Sequence, residues 1–348
     1  MNSLSDPYLD ALTFTGQQVS AMRTLGEYRG KQQLYERRRP ELLEALLTVA
    51  KIESTDASNK LEGITAPDAR LEALVRQHDA PRNRSEQEIA GYRDALELIH
   101  QSRTDMPVTV NVIRQLHQRI NSYLSEQGGD WKLTDNEIVE RDPDGNIVKI
   151  RFKPVSAVAT PQAMQNLVRR YESATKENRE PLLVIPLLIL DFLCIHPFRD
   201  GNGRIARLLT LLALYHAGYD VGRFISLERV IQDSYKSYYE TLEVSSQAWH
   251  ESKHDVMPWL EYFWGVLLRA YGEFEERIGN LDQPGMSKSQ RVREAVDRKV
   301  RPFRIVDIER ECPDVSRETI RLVLRAMKKE GLIEPKGRGR GVRWHKLN

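Results

Sequence analysis

Cysteine is almost absent from this chain: its 348 residues hold two, Cys194 and Cys312. Two distant thiols, one of them inside an apolar run, exclude a disulfide framework and a cysteine-rich metal site. Cys194 reads as a packed small hydrophobe. Long apolar runs are lacking too. Residues 181–195 are the strongest, but they contain Pro186 and Asp191 and are too short to span a bilayer. The N-terminal MNSLSDPYLDALTF has no basic leader followed by an apolar stretch. These absences predict a cytoplasmic chain without membrane contact. A dominant charge is also missing, since 52 Lys and Arg face 50 Asp and Glu, a net +2. That balance hides an asymmetry: residues 287–348 carry 18 basic against 9 acidic residues, and the rest of the chain 34 against 41. The C-terminal segment is therefore a separate electrostatic object, with its boundary in the Gly-, Pro- and Ser-bearing stretch 280–290. With 40% hydrophobic residues, the chain is long enough to bury a sizeable core in two or more domains.

What is present is concentrated in HPFRDGNGRIAR, residues 196–207. The preceding EPLLVIPLLILDFLCI, residues 180–195, is apolar all round and reads as a buried helix. Leu208 to Tyr215 read as helix again. His196 thus falls where a buried helix ends, with Gly201, Asn202 and Gly203 turning the chain into the next one. A helix N-terminus offers unpaired amides and partial positive charge, and glycine lets that backbone close on an anion. The turn is a phosphate cradle. Beside it, His196 has the intrinsic pKa of a base near neutrality, and Asp200 supplies the single carboxylate that a phosphate-bound Mg²⁺ needs. Arg204 and Arg207, at i and i+3, are expected on one face to clamp β- and γ-phosphates. Phe198 is expected to anchor the loop in the core.

The run resembles the Fic signature H-x-F-x-(D/E)-G-N-G-R-x-x-R, with every defining position filled. The resemblance extends over roughly residues 50–270, through EIAGYRDALELI at 88–99 and a β-hairpin flap after Trp131. It implies a protein adenylyltransferase that takes ATP and Mg²⁺ and moves AMP to Ser, Thr or Tyr hydroxyls of a protein target, itself included. His196 would deprotonate the hydroxyl and Asp200 hold Mg²⁺. Asn202 and the backbone of Gly201, Gly203, Arg204, Ile205 and Ala206 would take the α- and β-phosphates, and Arg207 the γ-phosphate; pyrophosphate would leave. SNKLEG at 58–63 resembles the (S/T)-x-x-x-E-(G/N) inhibitory motif, here N-terminal to the core, with Ser58, Glu62 and Gly63 at its defining positions. By that resemblance Glu62 reaches Arg207 and competes with the γ-phosphate.

NEIVER and NIVKIRF flank Asp144–Gly145 and read as a hairpin. In the resembled family this flap docks the target by adding a strand. Lys132 stands where relatives often carry Arg. Val155, Ser156, Ala157 and Val158, at the flap's exit, are assigned by resemblance to ATP, and Tyr239, with Tyr238 in reserve, to the adenine pocket. A few relatives transfer phosphate or phosphocholine, or remove AMP. Relatives often self-associate, which suggests a homodimer.

The C-terminal segment resembles a winged helix-turn-helix. Ser316 is a good N-cap, Ile320, Val323, Leu324 and Met327 form an apolar face, and Gly331 ends the helix. The recognition helix 317–330 would expose Arg317, Arg321, Arg325, Lys328 and Lys329, and a wing would carry Arg338, Arg340 and Arg343, all suited to DNA phosphates. The expected fold is all-α: an N-terminal helical region over 1–85, a Fic core with one small hairpin over 86–280 and the winged helix over 285–348. The competing function is a nucleotide-sensing, DNA-binding transcriptional regulator.

Overall fold

The apolar run 181–195 is a helix in the computed structural model, and the other helices are arranged to cover it. In chain order the helices are α1 (Asp6–Asp10), α2 (Gly16–Arg38), α3 (Pro40–Leu61), α4 (Asp68–Arg76), α5 (Arg84–Ser102) and α6 (Val110–Ile120). A hairpin follows, β1 (Ile138–Arg141) with β2 (Ile147–Phe152), paired antiparallel with two register shifts. Then come α7 (Thr160–Lys176), α8 (Pro181–Ile195), α9 (Asn202–His216), α10 (Leu227–Asp233), α11 (Tyr235–Ser246) and α12 (Met257–Leu281). The C-terminal elements are α13 (Lys288–Asp297), α14 (Ile305–Glu311), α15 (Arg317–Lys329) and the antiparallel pair β3 (Ile333–Lys336) and β4 (Arg343–Lys346). The structure describes all residues except 1, 2, 39, 142–145, 282–286, 300, 338–341 and 348. The expected Asp144–Gly145 turn, together with Arg338 and Arg340, lies outside the described residues.

Nearly every side chain of α8 is buried, against α7, α9, α11 and α12. Pro186 has no N–H, so the carbonyl of Leu182 loses its helical partner. The indole Nε1 of Trp264 donates to that carbonyl at 2.8 Å, and Trp259 donates to the Pro186 carbonyl at 2.7 Å. Trp264 thus satisfies the carbonyl that the proline leaves unpaired, and a second α12 tryptophan binds the proline's own carbonyl. No described helix is long and apolar enough to cross a membrane.

Of the N-terminal helices, α4 packs Leu71, Leu74 and Val75 into a small cluster with Ile89 of α5. Leu4, Leu25, Leu43 and Leu46 join the same buried cluster as α5 to α12, so the expected division at residue 85 is no break in packing. Residues 292–333 do have a separate core, built on Val292, Val296, Ile308, Ile320, Leu324 and Met327. Its longest helix, α15, is capped by Ser316 Oγ accepting from Thr319 N–H and ends at Gly331, whose φ is 73°. This unit meets the body through Arg310 Nε, 2.5 Å from Glu53 of α3, and Arg317 Nη1, 3.5 Å from Glu72 of α4.

Candidate active site

His196 caps α8 in the left-handed region, φ 51° and ψ 60°, with its N–H bonded to the Phe192 carbonyl at 2.9 Å. That backbone turns the imidazole out of the core. His196 Nδ1 lies 3.3 Å from the Leu193 carbonyl, which only accepts, so Nδ1 carries the proton and Nε2 keeps its lone pair. Burial pushes the ring's pKa down to about 4; the charge of Lys132 lowers it too, against the Leu193 hydrogen bond and the carboxylates of Glu62 and Asp200. Burial likewise pushes the Lys132 ammonium down to about 8. At neutral pH His196 is an unprotonated base.

The loop from His196 to Gly201 is gripped on both sides. Asn202 Oδ1 accepts from Phe198 N–H at 2.9 Å, and its Nδ2 donates to the Phe198 carbonyl at 2.8 Å. The Phe198 ring is buried and stacks on His117 at 3.8 Å between centroids. His117 Nδ1 accepts from Gly129 N–H at 2.8 Å, which leaves Nε2 to donate to the Asp200 carbonyl at 3.1 Å. Gly201, at φ 79°, is the N-cap of α9 and gives it no side-chain hydrogen bond. The first-turn amides of α9 therefore remain available to an anion.

Arg207 crosses from α9 to α3. Its Nε donates to Ser58 Oγ at 2.8 Å, and its Nη2 donates to the Ser58 carbonyl at 2.8 Å and to Glu62 Oε1 at 2.7 Å. Nη1 is buried without a partner. A Cβ on Gly203 would lie 2.2 Å from Glu62 Oε1 and 3.2 Å from Arg207 Nη1. The Glu62 carboxylate thus rests on the first turn of α9, in the anion cradle itself. Gly63 explains how it gets there. Gly63 N–H bonds the Lys60 carbonyl at 3.0 Å and Ile64 N–H the Asn59 carbonyl at 2.9 Å, a Schellman closure of α3 that needs the positive φ of 75° at Gly63. A cleft lined by Glu62, Arg151, Phe152, His196, Gly203 and Tyr239 opens over this pair. Tyr239 is in its wall, its hydroxyl 3.3 Å from the Leu61 carbonyl at the end of α3.

Several expected roles change. Arg204 does not share a face with Arg207: it is buried, and its Nη1 donates to Glu88 of α5 at 2.8 Å. Both ends of the Asn202 side chain hold Phe198, so only its backbone faces the cradle. The side chains of Ile205 and Ala206 are in the core, and the Ile205 N–H already donates to the Gly201 carbonyl at 3.0 Å. Val155 to Val158 do not line the cleft, where Arg151 and Phe152 stand instead; Val155 N–H is tied to the Cys194 carbonyl and Ala157 N–H to Asp135. Among the described residues no cluster of three or more His, Cys, Asp or Glu could hold a metal. Asp200 alone presents an exposed carboxylate beside the cradle, so a Mg²⁺ there would draw its other ligands from phosphate oxygens and water. His117 carries no motif and was not legible as part of the site; Lys132 and Glu88 lie in segments that the resemblance covers, but their contacts with the His196 loop and with Arg204 were not legible.

An imidazole titrating near pH 4 is neutral throughout the range in which an ordinary histidine, near 6.5, would lose its proton. Nitrogen-15 NMR of the His196 ring should accordingly show no protonation between pH 8 and about 5.5. A midpoint above 6 would contradict the buried, Nδ1-protonated ring.

Residues 107–214 match the family model described as Fic/DOC family. The chain is 28% identical over 138 residues to the protein adenylyltransferase Fic of Drosophila grimshawi, covering 38% of this chain and 26% of that protein. It therefore spans about a quarter of that relative's length. A Fic family protein from Desulfovibrio desulfuricans G20 superposes with a TM-score of 0.64 at 22% identity, covering 97% of both chains. A Fic domain containing signaling protein from Bacteroides thetaiotaomicron superposes with a TM-score of 0.60 at 25% identity, covering 73% of this chain and 94% of that one. Residues 107–214, which match the Fic/DOC family model, contain the His196 loop and the start of α9.

Proposed function

We propose that the chain is a protein adenylyltransferase held in check by Glu62. The observation that carries this reading is the pairing of an unprotonated His196 with an α9 anion cradle whose arginine is already occupied by a carboxylate. His196 Nε2 takes the proton of a Ser, Thr or Tyr hydroxyl, whose oxygen attacks the α-phosphorus of ATP. The bond from that phosphorus to the bridging oxygen breaks, and pyrophosphate leaves with its electron pair. The α9 amides hold phosphate oxygens where charge develops. Arg207 Nη1, buried and unpartnered, supports a phosphate as its missing acceptor. Mg²⁺, bound through Asp200, would neutralise polyphosphate charge. Relatives named protein adenylyltransferase support AMP as the transferred group.

The restraint follows from geometry and charge. A γ-phosphate seeking Arg207 meets Glu62 there, and two anions cannot share one guanidinium fork in a buried site. A charge-assisted hydrogen bond contributes about 1.5–3 kcal/mol, so Glu62→Gly should raise self-labelling from ATP by roughly 10- to 100-fold. Intact-mass measurement should show additions of one AMP each, and His196→Ala in the Glu62→Gly background should remove them. Equal labelling with and without Glu62 would refute the restraint. Undiminished labelling without His196 would refute the chemistry.

A second reading rests on α15, where Arg321, Arg325, Lys328 and Lys329 are exposed, and no acidic partner pairs with them among the described residues. We propose that this face contacts nucleic-acid phosphates. Arg317 is not available to it, being 3.3 Å from Glu309 and 3.5 Å from Glu72. The whole chain should retain duplex DNA at low salt and release it as salt rises, and Arg321→Glu with Arg325→Glu should abolish retention. Salt-independent or absent retention by the unaltered chain would end this reading.

A further inference from the structure

His196 is one of the few described non-glycine residues at positive φ. Such a conformation persists only where the surroundings over-determine it. Lys132 holds the peptides on both sides of His196. Its backbone N–H donates to the Pro197 carbonyl at 2.9 Å and its Nζ to the Ile195 carbonyl at 3.1 Å. One side chain and its own peptide thus hold the carbonyls on both sides of the base. Nζ also donates to Asn136 Oδ1 at 2.8 Å, and Asn136 Nδ2 reaches the Phe198 carbonyl at 3.4 Å. Lys132 is 4% exposed; an ammonium that far from water keeps its place only by spending its donors on such acceptors.

The same stretch is the root of the hairpin. Asp135 Oδ1 accepts from Ala157 N–H at 2.7 Å, closing the segment before β1 onto the one after β2. Trp131 packs on Phe198 with ring centroids 5.0 Å apart. Residues 131–136 therefore connect two parts that the reaction needs together: the loop that aims the base and the hairpin above the cleft.

We propose that Lys132, with Asn136, is the positioning residue of the adenylyl-transfer site, fixing His196 in its left-handed turn and locking that turn to the root of the hairpin. The inference rests on the adenylyl-transfer reading, and it differs from a role in nucleotide binding. A misaimed base lowers the rate of the chemical step and leaves ATP affinity alone. An arginine, which keeps the charge and several donors, should largely substitute; a methionine, which keeps only the length, should not.

The test compares Glu62→Gly, Glu62→Gly/Lys132→Met and Glu62→Gly/Lys132→Arg. The Met variant should self-label from ATP about tenfold more slowly or worse, with ATP affinity within about twofold, and the Arg variant should recover most of the rate. An unchanged rate in the Met variant, or rate and ATP affinity falling together, would overturn the proposal. A second readout needs no activity: in nitrogen-15 NMR the His196 ring should hold one Nδ1–H tautomer in the unaltered protein and the Arg variant, and mix tautomers in the Met variant. A single tautomer in all three would overturn the proposal. If Glu62→Gly itself fails to label, the adenylyl-transfer reading fails, and the ring spectrum still judges Lys132. Should Lys132→Met not fold, Asn136→Ala, half-buried at the outer end of the chain of bonds, should show the same pattern in milder form.

Discussion

The pairing of Arg207 with the end of α3 organises this molecule. A guanidinium buried among α3, α9 and α11 has to be paired, because an isolated buried charge is too costly to keep. Ser58 and Glu62 satisfy two of its three nitrogens. The rest of α3 is arranged to deliver them. Ser54 donates to the buried Glu228 at 2.7 Å, Tyr92 donates to the same carboxylate at 3.0 Å, and Glu53 lies 3.2 Å from Arg229. The Ser54 and Glu53 contacts fix the rotation of α3 about its axis, and Tyr92 of α5 holds the Glu228 carboxylate that Ser54 meets. The Schellman closure at Gly63 then bends the chain so that Glu62 reaches back over α9.

A second constraint comes from the end of α8. The helix is so apolar that it must be enclosed, and the residue that leaves it must turn sharply to bring a polar ring to the surface of the core. The left-handed His196 makes that turn. Phe198 drops back into the core, Asn202 closes the loop, and α9 starts with its amides free. Base and cradle are thus two ends of one short connection between buried helices, and their separation is fixed by packing that neither residue makes alone.

The helix 181–195, the turn, the start of α9 and the C-terminal helix–hairpin order were legible because periodicity, glycines and caps are local signals. The Ser58, Glu62 and Arg207 contact was legible only through resemblance, since nothing local joins residues 149 positions apart. Arg204 parts from Arg207 on the same ground: spacing of i and i+3 says two side chains are neighbours, but α5 supplies Glu88 to one and α3 supplies Glu62 to the other. Lys132, Asn136 and His117 act by touching backbone carbonyls and a ring face, contacts that leave no pattern in a sequence. Residues 155–158 are tied to Cys194 and Asp135 by backbone hydrogen bonds that no local pattern announces.

Competition between Glu62 and a γ-phosphate for Arg207 has a direct structural consequence. Crystal structures of the unaltered chain and of Glu62→Gly, each grown with ATP, test it most directly. A γ-phosphate is expected within hydrogen-bond distance of Arg207 in the glycine variant, and an intact Arg207–Glu62 pair with the γ-phosphate elsewhere in the unaltered chain. A γ-phosphate on Arg207 in the unaltered chain, with Glu62 still paired, would contradict it.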